Sequence, residues 1–167
     1  MKIPATLPPE AVTAIRDTRE QLGVDVSPLA VRIGTLATGD YSVVGLESEV
    51  AIELKGSIED LLACVGRERE RFDREILRLL AYPVRALVFC TTWSEIEEGR
   101  WRGKVTSTQV ESSIVSWASR GIPVHLAGNR ERAGRLIAKT LYLAARRRYR
   151  ESRELLRNVL PKEAKAT

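Results

Sequence analysis

One histidine and two cysteines among 167 residues leave little material for soft-metal or thiol chemistry. His125 lies in a short apolar run, Ile122 to Leu126, that reads as a strand, and no cysteine or second histidine clusters with it. A Cys/His zinc site and a Ser-His-Asp hydrolase therefore find no support. Cys64 falls in a helical stretch and Cys90 at a strand end; without close spacing they read as reduced thiols, and neither is a candidate nucleophile. No run of eighteen apolar residues occurs and no initial apolar segment follows Met1 to Glu10, so neither a membrane span nor a signal peptide is expected and a cytosolic location is. There is no internal repeat.

What is present suits one enzyme-sized domain. At 44% hydrophobic, 167 residues suffice for one core and are too few for two well-formed ones. A net charge of +5 and a pI near 9.5 favour a polyanionic partner, although charge alone would equally suit an acidic protein or a lipid surface.

The sharpest feature is Gly39-Asp40-Tyr41 followed, after twelve intervening residues from Asp40, by Glu53-Leu54-Lys55. Val50 to Lys55 reads as a strand with Val50, Ile52 and Leu54 on one face and Glu53 and Lys55 on the other. Gly45 to Ser48 is turn-like, so the preceding strand can fold back as a hairpin and bring Asp40 beside Glu53. Two hard oxygen ligands then face one ion. Mg²⁺ held by one or two carboxylates neutralises charge on a phosphodiester and activates water, which the lysine can orient or help deprotonate. Taken bare, the spacing also describes an ordinary surface hairpin with a solvated face and a turn aspartate.

The neighbouring segments resolve that ambiguity. Ile15-Arg16-Asp17-Thr18-Arg19-Glu20, Gly39-Asp40-Tyr41, Ile52-Glu53-Leu54-Lys55, Asp60-Leu61, Arg71-Phe72-Asp73-Arg74-Glu75 and Ala86-Leu87-Val88-Phe89 occur in an order that resembles the nuclease domain of the XPF-type family. Those proteins are structure-specific DNA endonucleases of the PD-(D/E)XK, restriction-endonuclease-like superfamily. The resemblance implies metal binding by Asp40, Glu53 and Asp17 and catalysis by these with Lys55. It implies Mg²⁺ as cofactor, with Mn²⁺ able to substitute, and branched, flapped or junction-containing DNA as substrate. Two departures stand out. Leu54 replaces the arginine of the family's Glu-Arg-Lys, and the acid expected four residues after the lysine is Glu59, with Asp60 one later. Ser57 and Asp60 also form a Ser-x-x-Asp capping pattern, the preferred reading for Asp60.

The opening segment carries conflicting signals. Pro8-Pro9-Glu10 before Ala11 to Gln21 looks like a capped helix, whereas the family pattern places Thr13 to Asp17 on a strand; the poor amphipathic face of Val12, Ala14 and Ile15 favours the strand. Asp17 then joins the metal acids and Arg19 becomes a DNA or acid contact. Ser57 to Tyr82 reads as one helix, loosened at Gly66, with an apolar stripe and a second stripe of Arg67, Arg71, Arg74 and Arg78. That stripe is a DNA-binding candidate through Arg67, Arg71 and Arg74. Glu68, Glu70, Asp73 and Glu75 could instead neutralise it as a salt-bridged face.

Further on, Val84 to Phe89 reads as a buried strand, Ser107 to Ser119 as a helix, and Glu131 to Arg150 as a long helix. The expected architecture is α/β: a single restriction-endonuclease-like domain over residues 1–150, with a central mixed sheet flanked by helices. Residues 151–167 are expected as a basic tail, frayed from Pro161, too short for the helix-hairpin-helix domain that often follows this nuclease. Arg146, Arg147, Arg148, Arg150 and Arg153 either grip phosphates or complement a helix dipole. Trp93, Trp101 and Trp117 could stack on bases, although packing is the commoner role. A homodimer or helper protein is a possible partner. The competing class is a catalytically inactive nuclease-fold scaffold, set against the intact Asp40, Glu53 and Lys55; an RNA-processing or duplex-nicking role is a third.

Overall fold

The computed structural model describes residues 4–159. A 3-10 turn over Pro9–Ala11 leads into β1 (Thr13–Asp17), so the strand reading of that segment holds and the helical signal shrinks to three residues around Pro9. The chain continues through β2 (Ala30–Gly34), β3 (Tyr41–Val43), β4 (Val50–Lys55), α1 (Ile58–Val65), α2 (Arg69–Leu79), β5 (Val84–Phe89), α3 (Trp93–Glu98), α4 (Ser107–Ser119), β6 (Val124–Leu126) and α5 (Arg130–Val159). The strands form one mixed sheet in the order β2-β1-β3-β4-β5-β6. β3 is antiparallel to both β1 and β4; the β1/β2, β4/β5 and β5/β6 pairs are parallel.

The alternation along β4 assigns its residues to two cores. Val50, Ile52 and Leu54 pack with Ile137, Leu141 and Ala144 of α5 on one face. Ala51 packs on the other with Leu61, Phe72, Ile76, Leu79 and Trp117 from α1, α2 and α4. Trp117 anchors that second layer, edge-on to Phe72 at 5.2 Å and stacked on Phe89 at 5.8 Å. Of the three tryptophans it is the buried one; Trp101 donates its indole N–H to the Val105 carbonyl at 2.8 Å, and Trp93 is 46% exposed.

Two sequence expectations are corrected. The single helix over Ser57 to Tyr82 is two helices, broken between Val65 and Arg69. A continuous helix of that span would measure about 39 Å, roughly twice the length of a six-residue strand, so only a broken helix can lay both apolar stripes on the sheet. The long helix expected to end at Arg150 runs on to Val159, and the domain boundary placed there falls within α5. The frayed segment from Pro161 lies outside the described residues. Nor did the sequence reading find β2, whose Val31 and Ile33 are each 50% exposed and give no inward pattern. Among the described residues no helix is long and apolar enough to cross a membrane.

Candidate active site

Asp40 owes its position to the glycine before it. Gly39 adopts φ +78°, and a Cβ there would lie 2.9 Å from the Ile52 carbonyl oxygen, so a side chain is barred by backbone geometry and by space. The close approach lets the Asp40 amide donate to the Ile52 carbonyl at 2.8 Å, while the Leu54 amide donates to Asp40 Oδ2 at 2.8 Å. Glu53 lies between those two β4 residues, so the pairing sets the carboxylates side by side. Leu54 is buried on the opposite, α5 face, away from both acids, where a change from arginine alters packing. Lys55 shares the Glu53 face: its Nζ is 2.5 Å from Glu53 Oε1 and 5.6 Å from the centre of the Phe72 ring.

Burial dominates the electrostatics of both acids. Burial, then the charge of Glu53, pushes the Asp40 carboxyl from 3.8 up to about 7, against the opposing Leu54 amide and Lys55. Glu53 is raised too, by burial first and further by Glu75, although Lys55 pulls it down. Burial alone would lower Lys55, but the charge and hydrogen bond of Glu53 outweigh it and hold the ammonium well above its usual range. Lys55 is therefore a charged donor. Burial also raises the nearby Cys64 thiol to about 12, which keeps it an inert core group.

Asp40, Glu53 and Lys55 open onto one cavity of about 550 Å³. Of the sequence candidates, Arg19 and Arg71 also line it, whereas Arg67 and Arg74 border an adjacent depression beside the α1–α2 turn that Arg71 reaches as well. The arginine stripe is partly neutralised: Glu68 lies 3.7 Å from Arg67 and 2.5 Å from Arg71, and Glu75 pairs with Arg78. The salt-bridged reading of that stripe holds for Arg67, Arg71 and Arg78.

Asp17 sits differently from the expected third metal acid. Its Oδ1 accepts from the Arg19 amide at 2.9 Å and from Arg19 Nε at 2.6 Å, and its Oδ2 accepts from the Leu36 amide at 2.6 Å. These bonds outweigh the upward push of burial and hold the carboxyl below its usual range. Asp17 does not line the cavity, but it holds Arg19, whose guanidinium also donates to the Leu36 carbonyl, at the rim. Asp60 receives its backbone cap from Ser57 Oγ at 3.2 Å, as the capping pattern implied, and its side chain borders the cavity.

Glu20, Glu75 and Arg78, which the sequence placed in motif segments or on the arginine stripe without a site role, also line the cavity, and so does Arg130, which no motif contained. Glu75 and Arg78 lie on the same α2 face, four and seven residues after Arg71, and that helical spacing was the available signal. Arg130, at the start of α5, donates to the Gly23 carbonyl and arrives only through tertiary packing; no local signal marks it.

The donor set fits a hard divalent cation. Two adjacent buried carboxylates with raised proton affinity have negative charge for an ion to satisfy, and every ligand is oxygen. Among the described residues no group of three or more His, Cys, Asp or Glu is gathered to enclose a metal. Two carboxylates with water and substrate phosphate completing the shell is the manner in which Mg²⁺ is commonly held.

No protein-family model and no curated protein matches the chain. Among solved structures, XPF from Aeropyrum pernix is similar at a TM-score of 0.60 and 18% identity, over 86% of this chain and 69% of that one. XPF from Aeropyrum pernix in complex with DNA is similar at 0.55 and 16%, over 82% and 66% respectively. The chain has an XPF-like fold and spans about two thirds of the length of these structures.

Proposed function

We propose that this protein is a Mg²⁺-dependent endonuclease that hydrolyses phosphodiester bonds in DNA, with branched, flapped or junction-containing DNA as its substrate class. The observation that carries this reading is the convergence of Asp40, Glu53 and Lys55 on one cavity rimmed by Arg19, Arg71, Arg78 and Arg130. One of the similar structures is a complex with DNA, which supports DNA as the polyanion. In this reading Asp40 and Glu53 hold the cation, and Mn²⁺ can replace it. The ion, when bound, neutralises charge on the phosphoryl oxygens and lowers the pKa of a water.

The remaining work falls to this chain's own groups. Lys55, kept protonated by Glu53, orients the attacking water and donates to the oxygen that gains charge. Arg19 contacts the phosphate next to the scissile bond, and Asp17 is assigned to fixing Arg19 in place of a direct ligand role. Arg71, Arg78 and Arg130 bind flanking phosphates, with Arg67 and Arg74 extending that track. A second copy or a helper protein would supply any substrate selection that the cavity does not.

The test is cleavage of labelled fork, flap, junction and linear DNA in Mg²⁺, Mn²⁺ or EDTA. Glu53→Ala and Asp40→Ala, each folded by circular dichroism, should lose more than about a hundredfold, beyond what supporting residues around a metal usually cost. Cleavage at the parental rate by both variants would sink the assignment. Tight DNA binding with no cutting in any metal would favour the scaffold reading.

A further inference from the structure

The second half of α5 carries charge that the cavity does not use. Arg146, Arg150 and Arg153 recur at intervals of four and three residues, one face of the helix. They line a separate cavity of about 440 Å³ with Tyr142, Tyr149 and the segment Ala5 to Leu7. That segment is stapled down: Tyr142 Oη donates to the Leu7 carbonyl at 3.0 Å, Tyr149 Oη donates to the Pro4 carbonyl at 2.8 Å, and Arg153 donates to the Ala5 carbonyl. Among the described residues none of Arg146, Arg150 and Arg153 has a carboxylate within 4.0 Å, unlike Arg148, which is held by Glu49 and Glu151. The stripe is thus a row of guanidinia outside ion-pair range of an acid among the described residues, anchored at Arg153 on Ala5 and bordered by Glu151 and Glu154, whereas Arg69, Arg71 and Arg78 of α2 are paired with acids three or four residues away.

We infer that this face is a second DNA-backbone site, remote from the catalytic cavity and engaging the same duplex. The inference rests on the proposed function for its choice of DNA. At about 1.5 Å per residue, Arg146 lies roughly 24 Å and Arg153 roughly 35 Å along α5 from Arg130 at the cavity rim. At about 3.4 Å per base pair those distances correspond to about 7 and 10 base pairs. Guanidinia suit the role because they contact phosphate oxygens in a planar fork. The consequence is a length requirement: a duplex arm reaching about ten base pairs beyond the cut engages the whole second site, and one shorter than about seven engages the cavity alone.

Fluorescence anisotropy in EDTA tests this without relying on cleavage. Duplexes of 6 to 24 base pairs are bound by the full chain and by Arg146→Ala/Arg150→Ala, between 50 and 200 mM salt. Parental affinity should step up as the duplex lengthens from about seven to ten base pairs, and most of that step should vanish in the double variant. Losing two phosphate contacts should reduce the log–log salt slope by about 1.8, so the parental protein weakens about twelvefold more than the variant over that range. Arg146→Lys/Arg150→Lys should keep most of the slope, which separates charge from folding. Equal slopes and no length step would overturn the inference, as would polyglutamate of matched charge competing as well as DNA, which would point to an acidic protein. Loss of the step with no cutting by any protein would leave the second site standing and the nuclease reading refuted.

Discussion

Asp40→Asn should stabilise the metal-free protein at neutral pH while abolishing cleavage. Asp40 and Glu53 are forced together by the β3–β4 pairing, and the Asp40 carboxyl is raised from 3.8 to about 7. The sign follows from which state binds the proton more tightly. The folded protein does, so the contribution of Asp40 to stability is fully present below pH 3.8 and is lost as pH rises through about 7. Above pH 7 the ionised pair costs at most about 4 kcal/mol, at roughly 1.4 kcal/mol per tenfold change in proton affinity. Asparagine removes the charge, keeps the shape and retains an oxygen for the Leu54 amide. Recovering half of that ceiling, about 2 kcal/mol, would raise the Tm by roughly 4 to 8 °C in a domain of this size.

The assay is thermal unfolding in EDTA at pH 5 and pH 8. The gain should appear at pH 8 and shrink at pH 5, where the native carboxyl is already protonated. Millimolar Mg²⁺ should then raise the parental Tm at pH 8 and leave Asp40→Asn unmoved, because a bound ion stabilises by about 2.7 kcal/mol at a hundred times its Kd. A destabilised variant at pH 8, or the same gain at both pH values, would refute the repulsion argument. Stability indifferent to Mg²⁺ in both proteins would refute the pairing of these two acids as the ion's ligands.

Gly134→Ala should cost at least about 2 kcal/mol in a urea melt, although alanine ordinarily favours a helix by about 1 kcal/mol, because its Cβ would fall 2.1 Å from the Asp25 carbonyl oxygen. Asp17→Asn should lower stability at pH 7 by about 1 to 2 kcal/mol, a modest figure because its partner Arg19 is two-thirds exposed. Since the Asp17 carboxyl is held below its usual range, that deficit should fade as pH falls through its folded value. The same variant, loosening Arg19, should reduce kcat more than DNA affinity; an unchanged kcat would show that the Asp17–Arg19 contact has no part in turnover.

The parts of this molecule that could be read from the chain are those whose cause is local. The two-residue alternation of β4 placed Glu53 and Lys55 on one face and Leu54 on the other, and the structure has Leu54 packed with α5. The turn-like Gly45 to Ser48 was enough to imply a hairpin, and the structure adds the close backbone approach at Gly39 that admits no side chain. The weak helical face of Val12 to Ile15 settled β1 against its proline-rich approach. What failed to register has its cause at long range. β2 is an edge strand with exposed Val31 and Ile33, so nothing in its composition separates it from a loop. The break between α1 and α2 falls at Gly66, the C-cap of α1 that the sequence marked only as a loosening; that it is a full break follows from the limited length of the sheet beneath the two helices.

Asp17 shows the same division within a single residue. Its strand and its neighbourhood follow from the motif, and its amide does bond the Asp40 carbonyl at 2.8 Å. The direction of its charge is decided elsewhere. The Leu36 amide and the folded-back Arg19 consume its acceptors, and neither contact is encoded in the spacing of Asp17 to Asp40 or Glu53. A motif can therefore specify which backbone positions meet around a cavity while leaving to distant loops which of the gathered acids faces it. Asp40 and Glu53 face it with raised proton affinity, and Asp17 beside them turns away with a lowered one. That contrast yields a discriminating expectation: an ion bound by Asp40 and Glu53 should be lost more completely in Glu53→Gln than in Asp17→Asn when Mg²⁺-dependent thermal shifts are compared. Equal loss in the two would return Asp17 to the ligand set.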